Sequence, residues 1–196
     1  MTKTVFLMLL LTLGGILSAE PVKIYTFPGE KFGKGPGLTV KGNTIEFAPV
    51  SRMYIDKKFD PSGGCFEFTA KFRPEPVKEK RLHYLWSVKG NKRTVASGVI
   101  SADNGTYRLN FYVFDTNFKP ISCACPLKFP ADKNIRLAFI WDTWSISIKI
   151  DGILFAKKNF KAQLQPGESF MIGTALKDRP LIPMTLEQVQ LSGKAD

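Results

Sequence analysis

The sequence predicts an all-β protein whose antiparallel strands close into a sandwich or barrel. Three observations predict it. Apolar and polar residues alternate at period two in several separate stretches. Between those stretches lie clusters of Gly, Asn, Asp, Ser and Pro, spaced by roughly 8–12 residues as in all-β folds. No stretch carries an apolar stripe at helical spacing.

Composition and the leader come first along the chain. Hydrophobic residues make up 44% and charged residues 23% of the 196-residue chain, which excludes a disordered tail or a fibre. Gly 16 and Pro 13 disfavour a long-helix bundle. Lys3 precedes an apolar run from Val5 to Leu17, and Ser18-Ala19 precedes Glu20-Pro21. That order is a secretory signal peptide cut after Ala19. The run is shorter than the roughly 20 residues needed to span a bilayer. No Cys follows the small residues, as a lipid anchor would require. Residues 1–19 are therefore expected to be a cleaved leader. Residues 20–196 are expected to be one domain that is secreted, periplasmic or extracellular, with no membrane span.

The strands follow in order. Ser62-Gly63-Gly64 is a turn before Cys65–Arg73, where Phe66, Phe68, Ala70 and Phe72 share one face and Glu67, Thr69, Lys71 and Arg73 the other. Leu85–Val88 and Val95–Ile100 flank the turn Lys89-Gly90-Asn91-Lys92. Asp103-Asn104-Gly105 turns into Tyr107–Phe114, which keeps Tyr112 and Phe114 on the face opposite Leu109, Phe111 and Val113. Ile135, Leu137, Phe139 and Trp141 line one face of the next strand, and Ser145–Ile150 alternates without a fault. Asp151-Gly152 then marks a tight hairpin into Ile153-Leu154-Phe155, because a type I′ turn needs two residues tolerant of positive φ. Pro166-Gly167 precedes Phe170–Gly173. In the last strand, Thr185–Leu191, Leu186 and Val189-x-Leu191 share a face only if a bulge intervenes.

The order of the second half carries a resemblance. A strand ends in Trp141-Asp142, a second leads into Asp151-Gly152, and then come Phe170-Met171-Ile172-Gly173 and a closing Leu186-Glu187-Gln188-Val189. In the first half, Phe66–Phe72 fits the early strand and Leu85–Val88 the next. This pattern resembles the laminin-G-like members of the concanavalin A-like lectin/glucanase superfamily. The resemblance implies a jelly-roll sandwich of two curved antiparallel sheets, one of them concave. It does not choose among the superfamily's glycan-binding lectins, protein-binding modules and polysaccharide-cleaving enzymes.

The chemistry of an enzyme is hard to assemble from these residues. Retaining glucanases of this fold carry Glu-x-Asp-x-Glu or Glu-x-Asp-x-x-Glu on one strand, which brings two carboxyls to about 5–5.5 Å. No such triplet occurs here, and the pairs Asp56/Asp60 and Glu75/Glu79 sit in loop sequence. The single His, His83, is expected as a loop or strand-edge side chain. A lyase working through Tyr or His with Arg would draw on Arg81, His83 and Tyr84. The chain is expected not to be an enzyme.

No cofactor is expected either. Phe114-Asp115-Thr116-Asn117 is similar to the metal strand of legume-type lectins, but Val113 stands where a Glu ligand is needed. Asp103, Asp115 and Asp142 are the weak candidates for Ca²⁺, and as turn-formers they have another use. Cys65, Cys123 and Cys125 are too few for a tetrahedral zinc site. In an exported chain, Cys65 is a disulfide candidate with Cys123 or Cys125, against the alternative of three packed thiols.

Charge and aromatics set the partner class. The formal net charge is +11, with basic clusters at Lys78/Lys80/Arg81, Lys89/Lys92/Arg93, Lys157/Lys158/Lys161 and Lys177/Arg179. That favours anionic partners, or simply a soluble surface. No nucleic-acid motif occurs. Most aromatics fall in strand phase and belong to the core. Trp144, Tyr112 and Tyr84 are less easily buried, although packing is the ordinary use of so large a ring as Trp144. The expected function is an exported, non-catalytic binding module for carbohydrate, acidic glycans among the candidate ligands, using Trp144, Tyr112, Tyr84, Arg81, Lys92 and Arg93. The alternatives are a module that binds extracellular or cell-surface protein, and a polysaccharide-degrading enzyme without the usual carboxylates.

Overall fold

Each alternating stretch is a strand in the computed structural model, which describes residues 23–26, 33–34, 37–74, 80–91, 93–174 and 181–193. The expected leader lies outside these residues, as do Lys78, Lys92, Lys177 and Arg179. In chain order the strands are β1 (Lys23–Thr26), β2 (Gly33–Lys34), β3 (Leu38–Lys41), β4 (Thr44–Phe47), β5 (Arg52–Ile55), β6 (Gly63–Phe72), β7 (Arg81–Lys89), β8 (Thr94–Asp103), β9 (Thr106–Phe114), β10 (Pro120–Leu127), β11 (Ile135–Asp142), β12 (Ser145–Ile150), β13 (Ile153–Asn159), β14 (Ser169–Gly173) and β15 (Met184–Gly193). They form two sheets. One runs β13-β12-β11-β6-β15-β4-β3, with β1 also on β15, and the other runs β10-β9-β8-β7-β14-β5-β2. All pairings are antiparallel. No helix among the described residues is long and apolar enough to cross a membrane.

The turn chemistry read from the sequence is realised in the backbone. Asn104-Gly105 (φ 45° and 75°) and Asp151-Gly152 (φ 50° and 82°) both place two left-handed residues at a hairpin tip, as a type I′ turn requires. The bulge needed in the last strand lies between Leu186 and Gln188, so Leu186, Val189 and Leu191 all reach the core. At Gly173 the backbone is left-handed (φ 83°), and a side chain there would collide with the carbonyl oxygen of Ser51.

The core lies between the sheets and is mostly aromatic. Trp86 of β7 is fully buried, with Phe66 at 5.0 Å, Phe139 at 5.1 Å, Phe111 at 5.7 Å and Phe170 at 6.0 Å between ring centroids. Phe66 and Phe139 come from one sheet, Phe111 and Phe170 from the other, so this one indole packs both sheets together. Its neighbour across the ladder is Gly98. A Cβ at Gly98 would collide with Trp86 Nε1 and stand 2.9 Å from Phe139 Cζ. The ring therefore lies where any other residue would put a side chain. Its N–H has no acceptor among the described residues, so the indole is held by packing alone.

Two expectations are corrected. All three cysteines are free thiols. Cys65 faces outward from β6, opposite the buried Phe66 and Phe68, whereas Cys123 and Cys125 point into the core from β10 in the other sheet. The expected bridge from Cys65 to Cys123 or Cys125 would have to cross a packed sheet. Burial pushes the Cys65 thiol up to about 11 and the Cys123 thiol up to about 12, and raises Cys125 as well. His83 is also not at a loop or edge: it is buried on β7, with only 6% of its surface exposed.

Two measurements check this account. Gly98→Val is expected to cost about 1–3 kcal/mol by displacing Trp86, read as a lower urea midpoint; an unchanged midpoint would refute the close approach. Because only thiolate attacks a thiol reagent, the folded protein at pH 8 is expected to react slowly at all three cysteines, and to react fully when unfolded. Fast labelling of the native state would contradict the raised thiols.

Candidate functional site

The connection from β13 to β14, residues 160–168, is the element around which the pockets form. It is tied down along its length. Phe160 N–H donates to Trp144 O (2.8 Å), Thr116 N–H to Gln163 O (2.9 Å), and Gln165 N–H to Phe114 O (2.9 Å). Phe59 N–H donates to Gly167 O (3.0 Å) and Glu168 N–H to Lys89 O (2.7 Å). Those partners are the β11–β12 turn, the ends of β7 and β9 and the β5–β6 loop, so the segment crosses one end of the sandwich as a strap. Gly167 lets it pass close to the core, since a side chain there would collide with Val88 Cγ1.

Three pockets open along this strap. The first, about 480 Å³, is lined by Asp142, Trp144, Ser145, Lys157, Asn159, Phe160 and Lys161. The second, about 690 Å³, is lined by Lys58, Asn91, Arg93, Val95, Phe118 and residues 165–168. A third of about 460 Å³ shares Lys58, Pro166 and Gly167 with the second and reaches Phe59, Trp141 and Phe170.

Trp144 owes its position to Asp142. The Asp142 carboxylate accepts from the N–H groups of Trp144 and Ser145 (2.6 Å each) and from Ser145 Oγ (2.8 Å). The preceding residue, Trp141, is anchored in the core: its Nε1 donates to Asp60 O (2.7 Å) and its ring stacks on Phe59 at 4.6 Å. The Trp-Asp pair thus fixes one indole inside and aims the next one out. Trp144 is 65% exposed, contrary to the packing expected of so large a ring. Burial alone would raise the Asp142 carboxyl, but the bonds from Trp144 and Ser145 and the charge of Lys157 outweigh it and hold the group below its usual value.

The other sequence candidates do not converge. Tyr112 and Tyr84 are half-buried on the outer face of the β10–β2 sheet, in register with Ser97 and Val99. Arg81 begins β7 and Arg93 follows its far end, so the two lie at opposite ends of the β7–β8 hairpin. Of these described candidates, Arg93 lines one of the three pockets. Asp115 uses its carboxylate on the N–H groups of Asn117 and Lys119 (2.8 Å each). Asp103 O accepts from Thr106 Oγ1 (2.5 Å) at its turn. Among the described residues no three His, Cys, Asp or Glu side chains converge as a metal site would need.

Sequence reasoning missed Phe118, Lys58, Asn91, Gln165 and Glu168. Phe118 had a signal: a large aromatic directly after Asp115-Thr116-Asn117, outside any alternating stretch. It also missed Tyr54, 42% exposed on β5 with Arg52 above its ring at 5.9 Å.

No protein-family model matches this sequence, and no curated protein matches it. Solved structures match its fold. The receptor-binding domain of botulinum neurotoxin type G superposes with TM-score 0.64 at 11% identity, over 85% of this chain and 43% of that one. A β-glucanase of Bacillus licheniformis superposes with TM-score 0.56 at 15% identity, over 87% of this chain and 92% of that one. An alginate lyase from an Alteromonas species gives TM-score 0.56 at 10% identity, over 84% and 95%. The chain spans less than half the length of the toxin domains it matches. The fold is thus a concanavalin A-like jelly roll of two antiparallel sheets.

The Asp142 turn generates a pH prediction. A carboxyl held low in the folded state stabilises fully above its ordinary value of 3.8, and that contribution is lost as pH falls through the lowered one. Titration of the Asp142 carboxyl by NMR is expected to give a midpoint below 3.8. Asp142→Ala is expected to cost about 1.5–3 kcal/mol, as for hydrogen bonds to a charged group. An ordinary midpoint would mean that the turn does not depend on this carboxylate.

Proposed function

We propose that the protein is an exported, non-catalytic carbohydrate-binding module of laminin-G-like type, with Trp144 as its principal stacking platform. The observation that carries this reading is the exposed Trp144 indole, held by the Asp142 turn beside Lys157, Asn159 and Lys161. Sugar rings present C–H faces to an aromatic plane, and flanking amides and cations hydrogen-bond the hydroxyl and acidic groups. Rigid presentation matters because an aromatic fixed before binding loses little entropy on contact. Matching structures include receptor-binding domains of neurotoxins, one described in complex with SialylT, and glycan-degrading enzymes. The non-catalytic reading draws support from these three pockets, each with one carboxylate among its described lining residues: Asp142, Glu168 or Asp60. The usual hydrolytic route uses two.

A second reading, docking of a protein partner, is favoured by one observation. Ile153, Leu154 and Phe155 are 65%, 52% and 51% exposed on β13, an edge strand. Exposed apolar edges are where sheets add strands from other chains.

A glycan array at low and raised salt, with and without Ca²⁺, separates the two. The expected result is salt-resistant binding to one glycan class, weakened at least about tenfold in Trp144→Ala. Binding to every anionic glycan that disappears at raised salt would reduce the reading to generic charge. No binding at all would favour the protein partner.

A further inference from the structure

The 690 Å³ pocket on the other side of the strap has an organisation of its own. Phe118 sits in the left-handed region at φ 59°, a conformation that bulky residues rarely hold without compensation. The compensation is visible. Phe118 N–H donates to Asp115 O (2.8 Å), and the Asp115 carboxylate, itself only 9% exposed, takes the N–H groups on either side of Phe118. The turn therefore holds the ring out at 39% exposure rather than letting it fold inward. Arg93 lies over that ring, its Cζ 5.2 Å from the centroid. The Arg93 loop is fastened as well, by Gly90 N–H to Arg93 O (2.8 Å). Val95 and Gly167 form the buried floor, and Gln165 is fixed by its Nε2 donating to Thr116 O (2.9 Å), which leaves its side-chain oxygen as an acceptor. Among the described residues neither Arg93 nor Lys58 forms an ion pair.

We infer that this pocket is a second saccharide subsite, selective for a sugar carrying an anionic group, with Arg93 and Lys58 receiving the anion and Phe118 stacking on the ring. The inference rests on the carbohydrate-binding reading. It adds a site on other residues and the charge of the sugar that fills it. The cations select the charge: Lys58 and Arg93 outnumber Glu168 in the described lining and neither is ion-paired with it, so an anionic sugar gains an attraction that a neutral one does not. Asn91, Gln165 and Glu168 supply hydrogen-bond partners for hydroxyls. Arg93 suits a carboxylate or a sulfate equally, since both present paired oxygens to a planar fork of donors.

The test titrates the full chain with tetragalacturonate, its fully methyl-esterified counterpart, and a sulfated galactan tetrasaccharide, by calorimetry and by amide shifts. Three variants accompany it. Arg93→Gln removes the charge. Phe118→Gly removes the ring but keeps the left-handed backbone. Lys133→Gln, at the opposite end of β10, controls for net charge. Binding of the uronate, the sulfated probe or both is expected, with shifts centred on residues 91–95 and 116–119. Arg93→Gln and Phe118→Gly are expected to weaken it about tenfold, and Lys133→Gln hardly at all. The response then names the anion. Equal binding of the methyl ester, equal losses in Arg93→Gln and Lys133→Gln, or no binding of either anionic probe would overturn the inference. Failure of the wider reading shows separately, as the absence of Trp144-dependent binding to any glycan.

Discussion

Trp86 lies where Gly98 leaves a side chain out, and the sandwich is built on that approach. The indole fills a gap between sheets that normally stand about 10 Å apart. It does so without a hydrogen bond for its N–H among the described residues, so shape keeps it there. Phe66 and Phe139 meet it from one sheet, Phe111 and Phe170 from the other. Sheets packed through one shared ring have a fixed spacing, and that spacing sets where their strand ends stand.

The strand ends are where the pockets form. Trp141 stacks on Phe59 inside the core and, one residue later, Asp142 organises the turn that exposes Trp144. The strap at residues 160–168 then bonds to the ends of β7 and β9 and to the Phe59 loop. Displacing the core aromatics would shift Phe59 and Trp141, and through them both walls of the Trp144 turn. The core and the proposed Trp144 platform are coupled here through a short chain of contacts.

Legibility in the sequence follows the range of the interaction. Asp151-Gly152, Asn104-Gly105 and the bulge after Leu186 were legible because each is decided by its own backbone and nearest neighbours. The four-residue strands β3, β4 and β5 are too short to show a period. In β10, Ile121, Cys123, Cys125 and Leu127 do alternate, but small residues and a proline at each end of Pro120–Pro126 mask the pattern. Of the site, Trp144 and Arg93 were legible as residue types. Their surroundings were not. Lys58, Arg93, Phe118 and Gln165 are distant in sequence and meet only because four connections converge on one end of the sandwich.

The residues that carry the resemblance are used up by architecture. Trp141 is core, Asp142 caps a turn, Asp151-Gly152 closes a hairpin, and Gly173 avoids the carbonyl of Ser51. A pattern made of such residues marks a fold because the fold cannot form without them. It does not mark a ligand: of these residues Trp141, Asp142 and Phe170 line the described pockets, but the first two are committed to internal bonds and Phe170 is fully buried in the core. The recognition proposed above falls instead to side chains that the core does not constrain: Trp144, Phe118, Arg93, Lys58 and the lysines of β13 and the strap. Such positions can change without cost to packing, which is how one jelly roll serves toxin receptor-binding domains, a glucanase and a lyase alike.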